Sequence, residues 1–258
     1  MTTVSRTTPS ERRFDGPSTM ATNEGGWWER ERLSFITERL TDVTPAGGSI
    51  LDVGCGTGLI LGAGELPAGI TRVSVDSYLW PEWKGRDHSL YVVADAAHLP
   101  FRDRAFDVVG SFDVIEHVHE PDAAVAEQAR VCRDGGRVVT SVPAFPALWS
   151  SHDEAVGHLR RYTRASLRTT AERGALTECG STYFFSWLSI PAWLARKADR
   201  RTAEPANGFG WKDRIVRRVI GSVCSLERWA LRRWRLPFGT SLWSEFSRRS
   251  DDGSGRRG

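Results

Sequence analysis

Long apolar runs are missing from this chain of 258 residues. The longest, Tyr183 to Ala195, covers about 13 residues and is broken by Pro191, whereas a membrane-spanning helix needs about 20. That segment cannot cross a bilayer alone. Cysteine is scarce, and Cys55, Cys132, Cys179 and Cys224 show no paired spacing, which argues against a zinc site and fits a reducing compartment. The formal net charge is only +3, so the total gives no reason to expect a nucleic-acid partner, although positive charge gathers toward the C-terminus. Residues 1–26 are rich in Ser, Thr, Arg and Gly and lack the apolar centre of a signal peptide. They are expected to be a disordered tail on a cytoplasmic protein. Against these absences stands a hydrophobic content of 40%, enough to build the core of one domain with additions.

The organising stretch is Ser49-Ile50-Leu51-Asp52-Val53-Gly54-Cys55-Gly56-Thr57-Gly58. An apolar run enters a turn with glycine at every second position and then meets helix formers, so it reads as a buried strand, a tight turn and a helix start. Without Cβ atoms at Gly54, Gly56 and Gly58, a ligand can lie against the backbone at the strand's carboxyl end. A dinucleotide site would be spaced G-x-G-x-x-G. The spacing here is G-x-G-x-G, with Asp52 inside the strand.

Ile50 to Gly58 resembles the first motif of the class I S-adenosylmethionine (SAM)-dependent methyltransferases. The resemblance runs in order through roughly residues 27 to 185 and returns more weakly near 240 to 247. It implies SAM as cofactor, with the glycine turn under its methionine part and Asp52 helping to hold the amino group. The alternating strand and helix order specifies a doubly wound α/β sheet. The resemblance implies seven Rossmann-like strands, the last antiparallel, with a helical insertion before it.

Ordered structure is expected from Trp27-Trp28 and an amphipathic helix over Glu29 to Leu40, with residues 27–247 forming the domain and 248–258 a second disordered tail. In the family such a leading segment often helps form the substrate pocket, which makes Trp27 and Trp28 candidate substrate contacts; ordinary packing is the competing reading. Thr71 to Asp76 alternates like a strand and ends on an acid whose carboxylate can accept ribose hydroxyls. Tyr91 to Ala96 reads as a third strand. By the resemblance, Asp95 would take the adenine amine and Ala96 a backbone contact, while Leu99 or Phe101 would offer apolar surface. Phe106 to Ser111 is a fourth strand, and Phe112 to Val118 leads off its tip toward the reaction centre. Asp113, Glu116 and His117 resemble a pattern that binds a divalent ion in some quinone-pathway O-methyltransferases; many metal-free relatives carry a similar Glu-His pair, and no metal ligands are assigned. Pro121 and Gly135-Gly136 bracket a helix, and Arg137 to Val142 is a fifth strand.

The next loop is the most individual part of the chain. After Trp149, residues 152–162 pack His152, Asp153, His158, Arg160, Arg161 and Tyr162 into eleven positions. The block resembles a segment of a bacterial methyltransferase subgroup. His152 and His158 are candidate bases, with His117 third, and Asp153 could orient one of them. Trp149, Arg161 and Tyr162 are candidate substrate contacts, and Trp27 or Tyr162 could favour a sulfonium. A satisfied polar network that fixes the loop is the competing reading. A helix over Thr163 to Ala175 and a sixth strand over Leu176 to Phe185 follow.

Residues 186–236 form the insertion. Ile215, Val216, Val219, Ile220, Val223, Leu226, Ala230, Leu231 and Trp234 share one side of a helical wheel, and Arg214, Arg217, Arg218, Arg228, Arg232 and Arg235 share the other. Three readings stand: the apolar side packs inward with arginines in water, the segment rests on a membrane surface, or it meets a protein. Thr240 to Ser247 closes the sheet. The expected activity is methyl transfer from SAM to a small-molecule O-, N- or C-nucleophile, with a non-catalytic SAM-binding module or an NAD-type oxidoreductase as rivals. The acceptor and the oligomeric state are not encoded in any motif.

Overall fold

The computed structural model describes residues 26–63, 66, 68–84, 86, 88–198 and 214–248. Seven strands form one sheet in the order β3-β2-β1-β4-β5-β7-β6. They are β1 (Ser49–Val53), β2 (Thr71–Asp76), β3 (Leu90–Val93), β4 (Phe106–Phe112), β5 (Cys132–Pro143), β6 (Leu176–Phe184) and β7 (Ser241–Arg248). Only β7 runs against its neighbours, pairing antiparallel with β5 and with β6. All parallel strands therefore end at one edge, where open α/β sheets place their ligands.

The strand alternation divides the core between the two faces. Leu51 and Val53 of β1 point to one face and pack with α3 (Pro121–Val131) and α5 (Arg164–Arg173). Ile50 points to the other face and packs with α1 (Trp27–Val43), the short α2 (Leu59–Ala63) and α7 (Arg214–Leu231). By the same period of two, Asp52 is carried on the α1 face. Two further helices, α4 (Ser151–Ala155) and α6 (Ser186–Ala198), follow β5 and β6. No helix among the described residues is long and apolar enough to cross a membrane.

Several expected boundaries shift. The third strand stops at Val93 because Asp95 turns the chain by accepting the Ala97 N–H at 2.8 Å. The fifth starts at Cys132, where Phe106 pairs with it across a register shift that takes in Gly135-Gly136. The β2–β3 crossover contains a single 3-10 turn, Pro81–Trp83, where a helix usually lies. Trp80 and Trp83 fill that space, packing with Cys55 and Tyr91, and the Trp83 indole N–H donates to the Gly56 carbonyl at 2.9 Å.

The insertion packs only part of its apolar side inward. Ile220, Cys224 and Leu231 of α7 are buried, yet Val219, Val223, Leu226 and Trp229 are exposed. Arg228 turns inward instead, its Nη1 2.5 Å from Glu31 and its Nε 3.2 Å from Glu38, both on α1. The side chains of residues 214–217 and the expected break at Asn207-Gly208-Phe209-Gly210 lie outside the described residues, as do tail residues 1–25 and 249–258.

Candidate functional site

The glycine turn leaves β1 with φ of +72° at Gly54, +53° at Gly56 and +81° at Gly58, values that disfavour any residue with a Cβ. A Cβ at Gly54 would also collide with Val114, whereas one at Gly56 would meet nothing within 4 Å. Backbone at Gly56 is thus open to a ligand. Asp76, at the tip of β2, accepts the Gly56 N–H at 2.8 Å and the Tyr78 N–H at 3.0 Å, which fixes its carboxylate beside the turn. Asp95 is exposed one strand further out, and Ala96 is half-buried behind it.

Asp52 is the unusual member. It is 1% exposed, and neither carboxylate oxygen accepts a hydrogen bond. Burial pushes its carboxyl up to about 8, with Arg32 pulling the other way. An ionised carboxylate in such a place asks for a cation. The unpaired oxygens and the open glycine backbone therefore fit the ammonium end of an amino-acid-bearing ligand such as SAM.

Arg32 connects this cradle to the tip of β4. Its Nε lies 2.5 Å from Asp113 Oδ2, and its Nη2 donates to the Phe112 carbonyl at 3.0 Å. Phe112 itself is buried, stacked on Trp243 with centroids 5.9 Å apart, so its backbone rather than its ring faces the site. Nothing in the sequence singled out Arg32, because one arginine in a charged helix looks like a solvated residue. Asp113 has φ +57°, and Phe145 and Phe185, just beyond β5 and β6, have +54° and +56°. Three non-glycine residues in the left-handed region just beyond β4, β5 and β6 mark the edge where tertiary contacts overrule local preference.

Beyond β4, Glu116 is fully buried with both oxygens lacking a hydrogen bond. Burial, reinforced by Asp113, holds its carboxyl well above the usual range. Asp153 is equally buried but fully engaged. It accepts the Ser150 N–H at 2.8 Å and hydroxyl at 3.0 Å, the Arg161 Nε–H at 2.7 Å, and His158 Nδ1 at 2.7 Å. Burial alone would raise this carboxyl, but the hydrogen bonds from His158 and Arg161 outweigh it and hold Asp153 well below the ordinary value.

An ionised Asp153 can only accept, so His158 donates from Nδ1 and its Nε2 faces Glu116 Oε1 at 3.9 Å. His117 is oriented alike, its Nδ1 3.2 Å from the Gly157 carbonyl, and burial with the His158 neighbour lowers it to about 4. The two rings lie 4.8 Å apart. Ligand atoms of Glu116, His117 and His158 fall within 4.8 Å of one another, a set able to carry a proton or hold a divalent cation. This replaces the Asp113, Glu116 and His117 grouping, since Asp113 is taken up by Arg32 and by the Ser141 hydroxyl.

The remaining candidates divide. His152 is half-buried on α4. Arg161 also donates to the Ala144 carbonyl at 3.0 Å. Tyr162 is 3% exposed, its hydroxyl 3.4 Å from the Ile115 carbonyl, and burial pushes it up to about 12. These two brace the loop. Trp27 is buried edge-on to Phe185, while Trp28 is 38% exposed with the Arg32 guanidinium 5.5 Å over its ring. Trp149 is exposed and its indole N–H reaches Glu154 at 3.4 Å.

Comparison with known proteins places this geometry. Residues 51–140 match the profile of a family described as a methyltransferase domain. An uncharacterized methyltransferase of Mycobacterium sp. strain JLS is 32% identical over 146 residues, covering 55% of this chain and 57% of the relative. The chain thus spans little more than half the length of that relative. A demethylmenaquinone methyltransferase of Renibacterium salmoninarum is 29% identical over 185 residues, 70% of this chain and 74% of the relative. Among solved structures, a chain from the complex of the Haloferax volcanii Trm112 methyltransferase activator with a methyltransferase superposes with a TM-score of 0.56 at 20% identity, covering 85% of this chain and 92% of that one.

Proposed function

We propose, on the premise that this chain carries a class I SAM-dependent methyltransferase domain, that it transfers the SAM methyl group to an oxygen, nitrogen or carbon nucleophile of a small-molecule acceptor. The observation that carries the reading is Asp52, a buried carboxylate with two unpaired oxygens directly before a glycine turn with open backbone. Bound SAM supplies a methyl group on a sulfonium, a leaving group that is already activated. The protein's task is then mainly positioning and exclusion of water.

Asp52 takes the ammonium, Asp76 the ribose hydroxyls, and Asp95 with Ala96 the adenine edge. Arg32, held by Asp113 and the Phe112 carbonyl, closes the site from α1. His158 is the base for an acceptor that holds its proton tightly, with Asp153 fixing its tautomer and stabilising the imidazolium that forms. Burial raises the Glu116 carboxyl beside His158, which disfavours a second negative charge next to the reacting atoms. The demethylmenaquinone methyltransferase relative supports an aromatic small molecule as one acceptor class.

Calorimetry with SAM and with NAD tests the cofactor assignment: SAM binds and NAD does not. Asp76→Ala weakens SAM by about 10-fold or more, since hydrogen bonds to a charged acceptor are worth about 1.5–3 kcal/mol each. Unchanged affinity would remove Asp76 from the site. On a turned-over acceptor, followed by S-adenosylhomocysteine release, His158→Gln lowers kcat by about 10²–10⁴-fold while SAM affinity stays near wild type.

A further inference from the structure

The insertion leaves more apolar surface outward than a helix that only packs on its own sheet would. On α7, Val219, Val223 and Leu226 recur at i, i+4 and i+7 and are 57%, 36% and 65% exposed. Trp229 extends the row at 52%, and beyond the helix Trp234 and Phe238 are exposed as well. The Trp229 and Trp234 rings meet edge-on at 5.9 Å, and the Arg233 guanidinium lies 6.0 Å over Trp229. The neighbouring α6 exposes Ile190, Trp193 and Leu194. Contiguous apolar surface of this kind marks an interaction site.

The polar groups of α7 are meanwhile spent inside. Arg228 pairs with Glu31 and Glu38, and the Glu227 carboxylate accepts the Phe185 and Ser186 N–H groups at 2.9 and 2.6 Å, fixing the start of α6. What surrounds the apolar row on the surface is positive. Residues 214–240 contain seven arginines and one acid, Glu227. Arg218, Arg232 and Arg233 are exposed beside the row, Arg232 within 3.4 Å of Glu38.

We propose that this face docks on an anionic lipid bilayer, with Val219, Val223, Leu226, Trp229 and Trp234 in the headgroup region and Arg218, Arg232 and Arg233 against lipid phosphates. Interfacial helices combine an apolar face containing Trp and Leu with a flanking basic face. Each arginine near an anionic surface adds to the attraction. A second copy of the chain fits this surface less well: a two-fold contact sets the same patch against itself and would bring the arginines of both protomers together. The N-terminal residues 1–25 offer only Met1, Val4, Phe14 and Met20 as bulky apolar groups, too few to cover it.

Co-sedimentation of the full chain tests the proposal, using vesicles of phosphatidylcholine and phosphatidylglycerol in equal parts and vesicles of phosphatidylcholine alone. Binding is expected to the mixed vesicles at low salt, falling about 10-fold or more on neutral vesicles or at high salt, where headgroup attraction is screened. Leu226→Ser with Trp229→Ser abolishes it while melting temperature and SAM affinity stay at wild type; both side chains are exposed, so the fold does not depend on them. Arg232→Gln with Arg233→Gln weakens binding and flattens its salt dependence. No binding to the mixed vesicles at low salt overturns the proposal. So does a dimer in lipid-free sedimentation equilibrium that the Leu226 and Trp229 substitutions dissolve, since the row would then belong to a second copy.

Discussion

Two aspartates sit about a hundred residues apart in sequence, both almost wholly removed from solvent, and the fold treats them in opposite ways. Asp153 receives four hydrogen bonds, two of them from cationic or ionisable partners, and stays ionised. Asp52 receives none, and its carboxyl rises to about 8. A buried carboxylate with a full set of donors is a brace. One left without donors weakens the free protein, and it persists where a ligand completes it. The contrast separates the loop after β5 from the turn after β1 more sharply than burial or charge alone.

The largest effect should come from removing the brace. Asp153→Ala leaves Arg161 without its buried counterion and His158 without its acceptor, and breaking a buried pair typically costs about 3–5 kcal/mol. Denaturant unfolding measures the loss. A change at the other aspartate should spare the fold, because Asp52→Asn keeps the size and neutrality of a carboxyl that burial already holds protonated up to about 8. Its cost falls on SAM, with affinity dropping about 10- to 100-fold on the scale of one charged hydrogen bond. If Asp52→Asn unfolds the chain while Asp153→Ala does not, the comparison fails.

A smaller and slower signature lies in pH. Asp52 is protonated in the folded state up to about 8 but ionised in the unfolded chain above its ordinary value near 4, so folded protein binds more protons between these limits. Stability from this group is therefore lost as pH rises from about 4 to about 8 and levels off above. The slope reaches at most about 1.4 kcal/mol per unit. Glu116, also raised, adds in the same direction. Asp153 has the opposite sign: its stabilisation is present above the ordinary carboxyl range and fades only as pH falls well below it. Melting curves of wild type and Asp52→Asn should converge below about pH 4 and separate toward pH 8, with the variant higher.

Much of the scaffold for this contrast was legible in the sequence, for a local reason. β1 and β4 are largely apolar runs, β2 alternates and ends on an acid, and the turn at Gly54–Gly58 needs backbone angles that only glycine adopts freely. The seven-stranded order and the antiparallel last strand followed from family resemblance. What stayed hidden depends on partners distant in the chain. Glu116 joins His158, 42 positions later, rather than Asp113, because Arg32 on α1 claims Asp113 first. The periodicity of α7 defined two faces but not how far the apolar one turns inward: Ile220 and Leu231 are buried, while Glu31 and Glu38 on α1 draw Arg228 of the other face to the inside. The 77–89 crossover offered no helix period to read, and two tryptophans take the helix's place.

One of those tryptophans turns the Gly54–Gly58 turn into an optical probe. Indole emission responds to the polarity and hydrogen bonding of its ring N–H, and Trp83 donates its own to the Gly56 carbonyl while stacking on Tyr91 at 4.9 Å. Of the eleven tryptophans in the chain, Trp83 is thus wired directly to the backbone segment that a ligand would touch. A Trp83→Phe difference spectrum isolates its emission from the other ten, so that occupancy of the turn can be followed in real time without label, acceptor or turnover.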